Sequence, residues 1–226
     1  MQTFQQWLLN EYGQWNTNNL IVCDIQPLYA KSFPFKVFDF ATFLGQTVDK
    51  GKRVIFFYNG PDTVGEDSRE DIINWLVEAL QEGSPYTFDG EDEDYDAWQE
   101  EQWEKLDLLH QKFNRNILWY DKGYGFFRSW MDEGVDDAAI IRTIRYMAMK
   151  RIYDTRNLSE EELEQLAQGE SLPNDMINLP SIPLNTLKQF NGSFLCGGGR
   201  EECMKEIQLL MNAFNIKYTI LRKFTF

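Results

Sequence analysis

The sequence predicts an α/β protein whose mostly parallel sheet is layered between helices, and three observations predict it. Leu20–Asp24 (LIVCD), Arg53–Tyr58 (RVIFFY) and Asn116–Asp121 (NILWYD) are short, continuous apolar runs, as expected of strands buried on both faces. Segments of helical period separate them. The chain then closes on a strand, a glycine turn, a helix and a strand, over 193–196, 200–214 and 217–224.

Taken in order, residues 3–12 place Phe4, Trp7, Leu8 and Tyr12 on one helical face. The first strand, 20–24, ends in an acid, and Pro27 prevents its simple continuation. Val37, Phe40, Phe43, Leu44 and Val48 have helical spacing before the turn at 49–52. The second strand, 53–58, runs into Asn59-Gly60-Pro61, a turn signal. Ser68 with Asp71 starts a helix over 69–81. Trp98, Trp103, Leu106, Leu109 and Phe113 form an apolar stripe leading to the third strand, which ends at Asp121-Lys122-Gly123. A helical turn is expected at 126–131 and a long helix at 136–153. Ser159 and Glu162 read as a capping box for 160–168. Prolines 173, 180 and 183 mark 169–183 as a loop, and 184–190 is a short helix. The result is one three-layer, Rossmann-like domain over 1–226.

Composition narrows the function classes. The chain carries a net charge of −14, of which ten acids and one lysine lie within 89–107 (DGEDEDYDAWQEEQWEKLD). Such a surface repels nucleic acid and anionic membranes, so neither is an expected partner. The run reads as a solvated loop entering an exposed helix, or as the contact for a basic protein. No apolar run has membrane-spanning length, and the start of the chain is too polar for a secretory segment. Three cysteines without framework spacing imply reduced thiols and a cytoplasmic setting. With His110 the single histidine, no His-rich metal site is expected, nor any cofactor.

In open parallel sheets, ligands bind outside the carboxyl ends of the strands. That rule groups Asp24, Asn59, Lys122 and the Gly197–Cys203 turn, which are distant in sequence. A thiol attacks carbonyl carbon as thiolate, so it needs a base or a cation beside it. Asp24 supplies a proton acceptor, Lys122 a cation, and the backbone N–H groups around Gly198–Cys203 an oxyanion site. A helix start at Cys203 favours the thiolate, with Glu201 and Glu202 opposing it. Each residue also has a plain structural reading: Cys203 as a small buried helix residue, Asp24 as a cap on the 26–28 backbone, and Lys122 as a solvated turn residue.

The pattern Asp24-x-Gln26 with Tyr29 three residues on, Lys122 before Tyr124-Gly125-Phe126-Phe127, and Cys203 six residues beyond Gly197 resembles the isochorismatase-like cysteine hydrolases, the superfamily that includes nicotinamidases. That resemblance implies Asp24, Lys122 and Cys203 as the catalytic group. It implies a small-molecule amide or related carbonyl substrate held near Gln26, Tyr29, Asn59, Tyr124, Phe127, Gly198 and Gly199, and the homo-oligomeric state is left open. The chain departs from the family in three respects. Lys122 and Cys203 are 81 residues apart, which marks about 148–190 as an insertion. The Asp-x-His metal group is missing, and Gly198-Gly199-Arg200-Glu201 replaces the small-residue segment before the cysteine. The ending also resembles proteins of unassigned activity encoded by large phages, which implies no activity.

Two other classes fit the same α/β order. One is a Mg²⁺-dependent nuclease of the PIN or NYN type, using carboxylates drawn from Asp24, Asp62, Asp132, Asp137 and Glu202. The other is a non-catalytic acidic interaction protein.

Overall fold

In the computed structural model the described residues are 18–60, 67–82, 95–122, 126–168, 178–180, 182–199 and 201–226, with the side chains of 95–99, 101 and 102 left aside. The expected helix at 3–12, Asp62, Tyr124, the side chain of Trp98 and the 89–94 part of the acidic run lie outside them.

Five strands form one sheet: β1 (Leu20–Cys23), β2 (Val54–Tyr58), β3 (Ile117–Asp121), β4 (Ser193–Gly197) and β5 (Tyr218–Thr225). Their order is β3-β2-β1-β4-β5, and all four pairings are parallel rather than mostly so. The register is level at the carboxyl ends, with Cys23 opposite Phe57 on one side and Gly197 on the other.

Alternation of side chains divides the core into two. Ile21, Cys23, Ile55, Phe57 and Leu195 face a layer built from α4 (Arg128–Asp132), α5 (Asp137–Lys150), α6 (Glu160–Ala167), α7 (Leu184–Lys188) and α8 (Cys203–Ala213). Leu20, Val22, Val54, Phe56, Ile117 and Cys196 face α1 (Val37–Asp49), α2 (Arg69–Glu82) and α3 (Tyr95–Asn116). Within the 148–190 stretch, Leu158, Leu166, Ile182, Leu187 and Phe190 are buried in the first of these clusters, so the stretch helps to build the core.

Local chemistry accounts for the element ends. Ser159 and Glu162 form the reciprocal capping box that opens α6. Ser68 and Asp71 bond each other's backbone N–H at the start of α2. The expected 136–153 helix stops at Lys150 because Arg151 turns left-handed, with φ of 57°. The expected 126–131 turn becomes α4 at 128–132. The last helix starts at Cys203 rather than at 200.

One boundary matters most. The first strand ends at Cys23 because Asp24 adopts φ of 52°, a conformation that Asp tolerates better than most residues. Its N–H still bonds Phe57 O at 3.0 Å, which fixes the residue while the chain turns away. The chain continues into a 3-10 turn, Pro27–Ser32.

Candidate active site

From β1 the chain builds outward on one side through β2 and β3, and on the other through β4 and β5. The crevice between the carboxyl ends of β1 and β4 is therefore the switch point where open α/β sheets take their ligands. Asp24 leaves one wall of it, and the turn leading to Cys203 leaves the other.

Those walls stand unusually close. Gly197 has φ of 104°, and a Cβ there would run into the Cys23 carbonyl, well inside van der Waals contact. Only glycine allows that approach. Gly198 N–H then bonds Cys23 O at 2.7 Å. The place of a Cβ on Gly198 lies 3.1 Å from Cys203 Cβ and 3.5 Å from Cys23 Sγ, so the turn is packed against both thiol residues.

Lys122 follows β3, two strands from β1, a lateral separation of about 10 Å. A long side chain is needed to cross that gap. Its Nζ reaches Asp24 Oδ2 at 3.0 Å and Glu206 Oε2 at 3.6 Å. All three side chains are essentially shut off from solvent, at 0–1% exposure. Lys122 is therefore no solvated turn residue. Burial alone would lower its pKa, but Asp24 and the other acidic groups around it outweigh this and raise it well above the ordinary lysine value.

Cys203 is the first residue of α8 and the one cysteine of the three that is partly exposed. Its thiol interacts with the Asp24 carboxylate. Burial first, and Asp24 second, push it up to about 12, while Lys122 works in the opposite direction. The helix start thus does not leave a resting thiolate. Asp24 Oδ2 accepts from Cys23 Sγ at 3.5 Å, whereas Oδ1 is buried and, among the described residues, has no aligned hydrogen-bond partner. A carboxylate oxygen with free lone pairs beside a protonated thiol is equipped to take its proton.

The expected substrate-binding residues divide. Gln26 and Asn59 interlock: Asn59 N–H donates to Gln26 Oε1 at 3.0 Å, and Gln26 Nε2 donates to Asn59 O at 3.3 Å. Asn59 Nδ2 donates to Tyr29 Oη at 2.7 Å. Burial and then Asp24 raise the half-buried Tyr29, which places its hydroxyl in the field of the same carboxylate. These three form a polar web next to Asp24. The Phe127 ring is fully buried in the core, and its share in the site is a backbone N–H. Gly198 and Gly199 act through their backbones. Gly199 O accepts from Glu202 N at 3.0 Å and Met204 N at 3.1 Å. The N–H groups of Gly198, Glu202 and Met204 are thus engaged, and among the described residues no backbone acceptor takes those of Gly199, Glu201 and Cys203.

Sequence reasoning missed two members. Asp67, not Asp24, caps the backbone after the first strand, accepting from Leu28 N at 2.9 Å and Gln26 Nε2 at 3.4 Å. Glu206 is fully buried, and its Oε1 accepts from Phe127 N at 2.7 Å.

Of the carboxylates that a nuclease would require, the four described ones are engaged separately. Asp24 faces Lys122, Asp132 and Glu202 share Arg128, and Asp137 pairs with Lys205. Among the described residues, no three His, Cys, Asp or Glu side chains gather to hold a metal. Nor is any described helix long and apolar enough to cross a membrane.

No family model, curated protein or solved structure matches the chain.

Proposed function

We propose that the chain is a cysteine hydrolase of the isochorismatase-like kind, cleaving a small amide or related carbonyl compound. The observation that supports this reading is the convergence at the switch crevice of a partly exposed thiol, a buried Asp24 with one oxygen unpartnered among the described residues, and a buried Lys122 at 3.0 Å from that carboxylate.

In the proposed reaction, Asp24 takes the Cys203 proton as sulfur bonds the carbonyl carbon. Lys122 and the free N–H groups of the turn stabilise the oxyanion. The tetrahedral intermediate collapses to a thioester and the leaving amine departs with the proton held by Asp24. Water, deprotonated by the same carboxylate, then releases the acid and restores the thiol. Because the resting sulfur is protonated, the attack depends on Asp24 as general base rather than on a standing thiolate.

The test uses p-nitrophenyl acetate, an activated ester small enough to need no particular pocket. Native protein is expected to release one equivalent of p-nitrophenolate in a burst and to carry an acetyl group on Cys203 by peptide mass spectrometry. Asp24→Asn should slow that acylation by about 100-fold, the usual range for a lost general base. Equal acetylation of Cys23, Cys196 and Cys203, or an Asp24→Asn protein that acylates at the native rate, would remove the reading.

A further inference from the structure

Glu206 is the buried group that this reaction leaves without a task. It stands one helical turn after Cys203 on α8, a spacing that puts the two side chains on adjoining faces. Its carboxyl is completely enclosed and faces Lys122 and the backbone at Phe126 and Phe127. Oε1 accepts from Phe127 N at 2.7 Å, and Oε2 lies 3.6 Å from Lys122 Nζ without an aligned hydrogen bond. An ionisable side chain is rarely buried this fully without a specific partner.

We infer that Glu206 is a positioning residue of the proposed site: it holds the Lys122 ammonium between two carboxylates and ties the helix bearing Cys203 to the segment that follows Lys122. The inference rests on the hydrolase reading for its consequence, not for its geometry. Asp24 grips the ammonium from the end of β1 and Glu206 from α8, so Lys122 cannot swing towards either alone. The Phe127 contact fixes the first turn of α8, and with it the thiol, relative to the end of β3.

The arrangement also has an electrostatic consequence. The groups that bear on Glu206 and on the thiol are Asp24 and Cys23 from β1 and its end, Lys122 after β3, and Cys203 on α8 itself. One ammonium facing two carboxylates leaves the cluster a surplus negative charge when both are ionised. That surplus opposes ionisation of Cys203.

Replacing Glu206 by Gln removes the charge but keeps an oxygen for Phe127 N–H. Two rates on Cys203 should then move in opposite directions. Alkylation by iodoacetamide at pH 8–9, which follows the thiolate fraction, should rise by up to about tenfold, because removing a negative charge beside the thiol favours its ionised form. Acetylation by p-nitrophenyl acetate should fall about tenfold, because Lys122 has lost its second anchor. Unchanged rates, or a rise in alkylation shared by the buried Cys23 and Cys196, as general loosening of the fold would give, would overturn the inference. Should Glu206→Gln not fold, Glu206→Asp takes its place. It keeps the charge but shortens the reach, so alkylation should stay within about twofold while acetylation falls, and native acetylation there overturns the inference. A native protein that never acetylates Cys203 defeats the hydrolase reading separately. In that case the alkylation shift in Glu206→Gln still decides whether Glu206 bears on the thiol.

Discussion

Lys122→Met is the substitution that the buried cluster makes most informative. The ammonium sits 3.0 Å from one carboxylate oxygen and 3.6 Å from another. At an effective dielectric of about 20, those separations correspond to gross attractions of about 5.5 and 4.6 kcal/mol. All three side chains are closed to solvent, so screening removes little. Repulsion between the carboxylates and the desolvation of all three groups offset most of this sum. What remains measurable is the penalty of leaving carboxylates buried without their cation, about 3–5 kcal/mol. For a chain of 226 residues that lowers the melting temperature by about 6–20 °C. The sign of the pH dependence follows from Glu206, whose pKa is raised by burial and held down in part by Lys122. A carboxyl raised in the folded state costs stability as pH rises through its folded value, and the cost vanishes below its ordinary value. Without Lys122 the rise is larger, so the deficit of the variant should be greatest near pH 7.5 and shrink towards pH 5. One proton taken up across that window recovers up to about 3 kcal/mol. Urea unfolding followed by circular dichroism at both pH values measures it. A deficit below about 1 kcal/mol at pH 7.5, or one that is equal at the two pH values, would refute the buried three-group cluster.

Two further substitutions test how the site is held. Gly197→Ala forces a side chain into the Cys23 carbonyl at a left-handed position, and should cost about 3 kcal/mol or more in urea unfolding; a native-like midpoint would show that β1 and β4 do not approach as closely as described. Ser159→Ala removes one half of the capping box of α6 and should cost about 1 kcal/mol, or about 2–4 °C in a thermal melt, without changing acetylation of Cys203. A melt unchanged by that substitution would mean that the cap contributes nothing to the fold.

The residues differ in how far sequence alone reveals them, and the reasons are physical. β1 and β2 are legible because a parallel strand buried on both faces must be apolar, as LIVC and VIFFY are. β3 is an edge strand, and of ILWYD only Ile117 is buried, so its apolar run overstates its burial. Asp24, Lys122 and Cys203 are legible as a group because parallel strands bring all their carboxyl ends to one edge of the sheet, whatever the sequence separation. The burial of Lys122 is not legible, because a lysine in a polar turn carries no mark of the two carboxylates that enclose it. Glu206 left a signal that periodicity can read. It falls on the stripe of α8 that otherwise holds Leu209, Leu210 and Ala213, where an acid is out of place. Asp67 left none, since its contacts to Gln26 and Leu28 cross from the start of one helix to a turn about 40 residues earlier, with no pattern linking them.

The charge arrangement around Cys203 constrains what chemistry suits it. A thiol at a helix start beside a lysine has two influences that favour ionisation. Here burial, Asp24 and Glu206 oppose them and prevail, so sulfur rests protonated. A site of that kind is poorly suited to reactions that need only a standing thiolate, such as attack on soft alkylating agents or disulfides. Under the proposed reading it suits carbonyl substrates, where the proton would pass to Asp24 as the carbon–sulfur bond forms and then to the leaving group. An ammonium drawn closer to the sulfur would favour the thiolate, with the displaced proton passing to Asp24. Lys122 is held 3.0 Å from Asp24 and 3.6 Å from Glu206, which under the proposed reading leaves that transfer to the approach of a carbonyl.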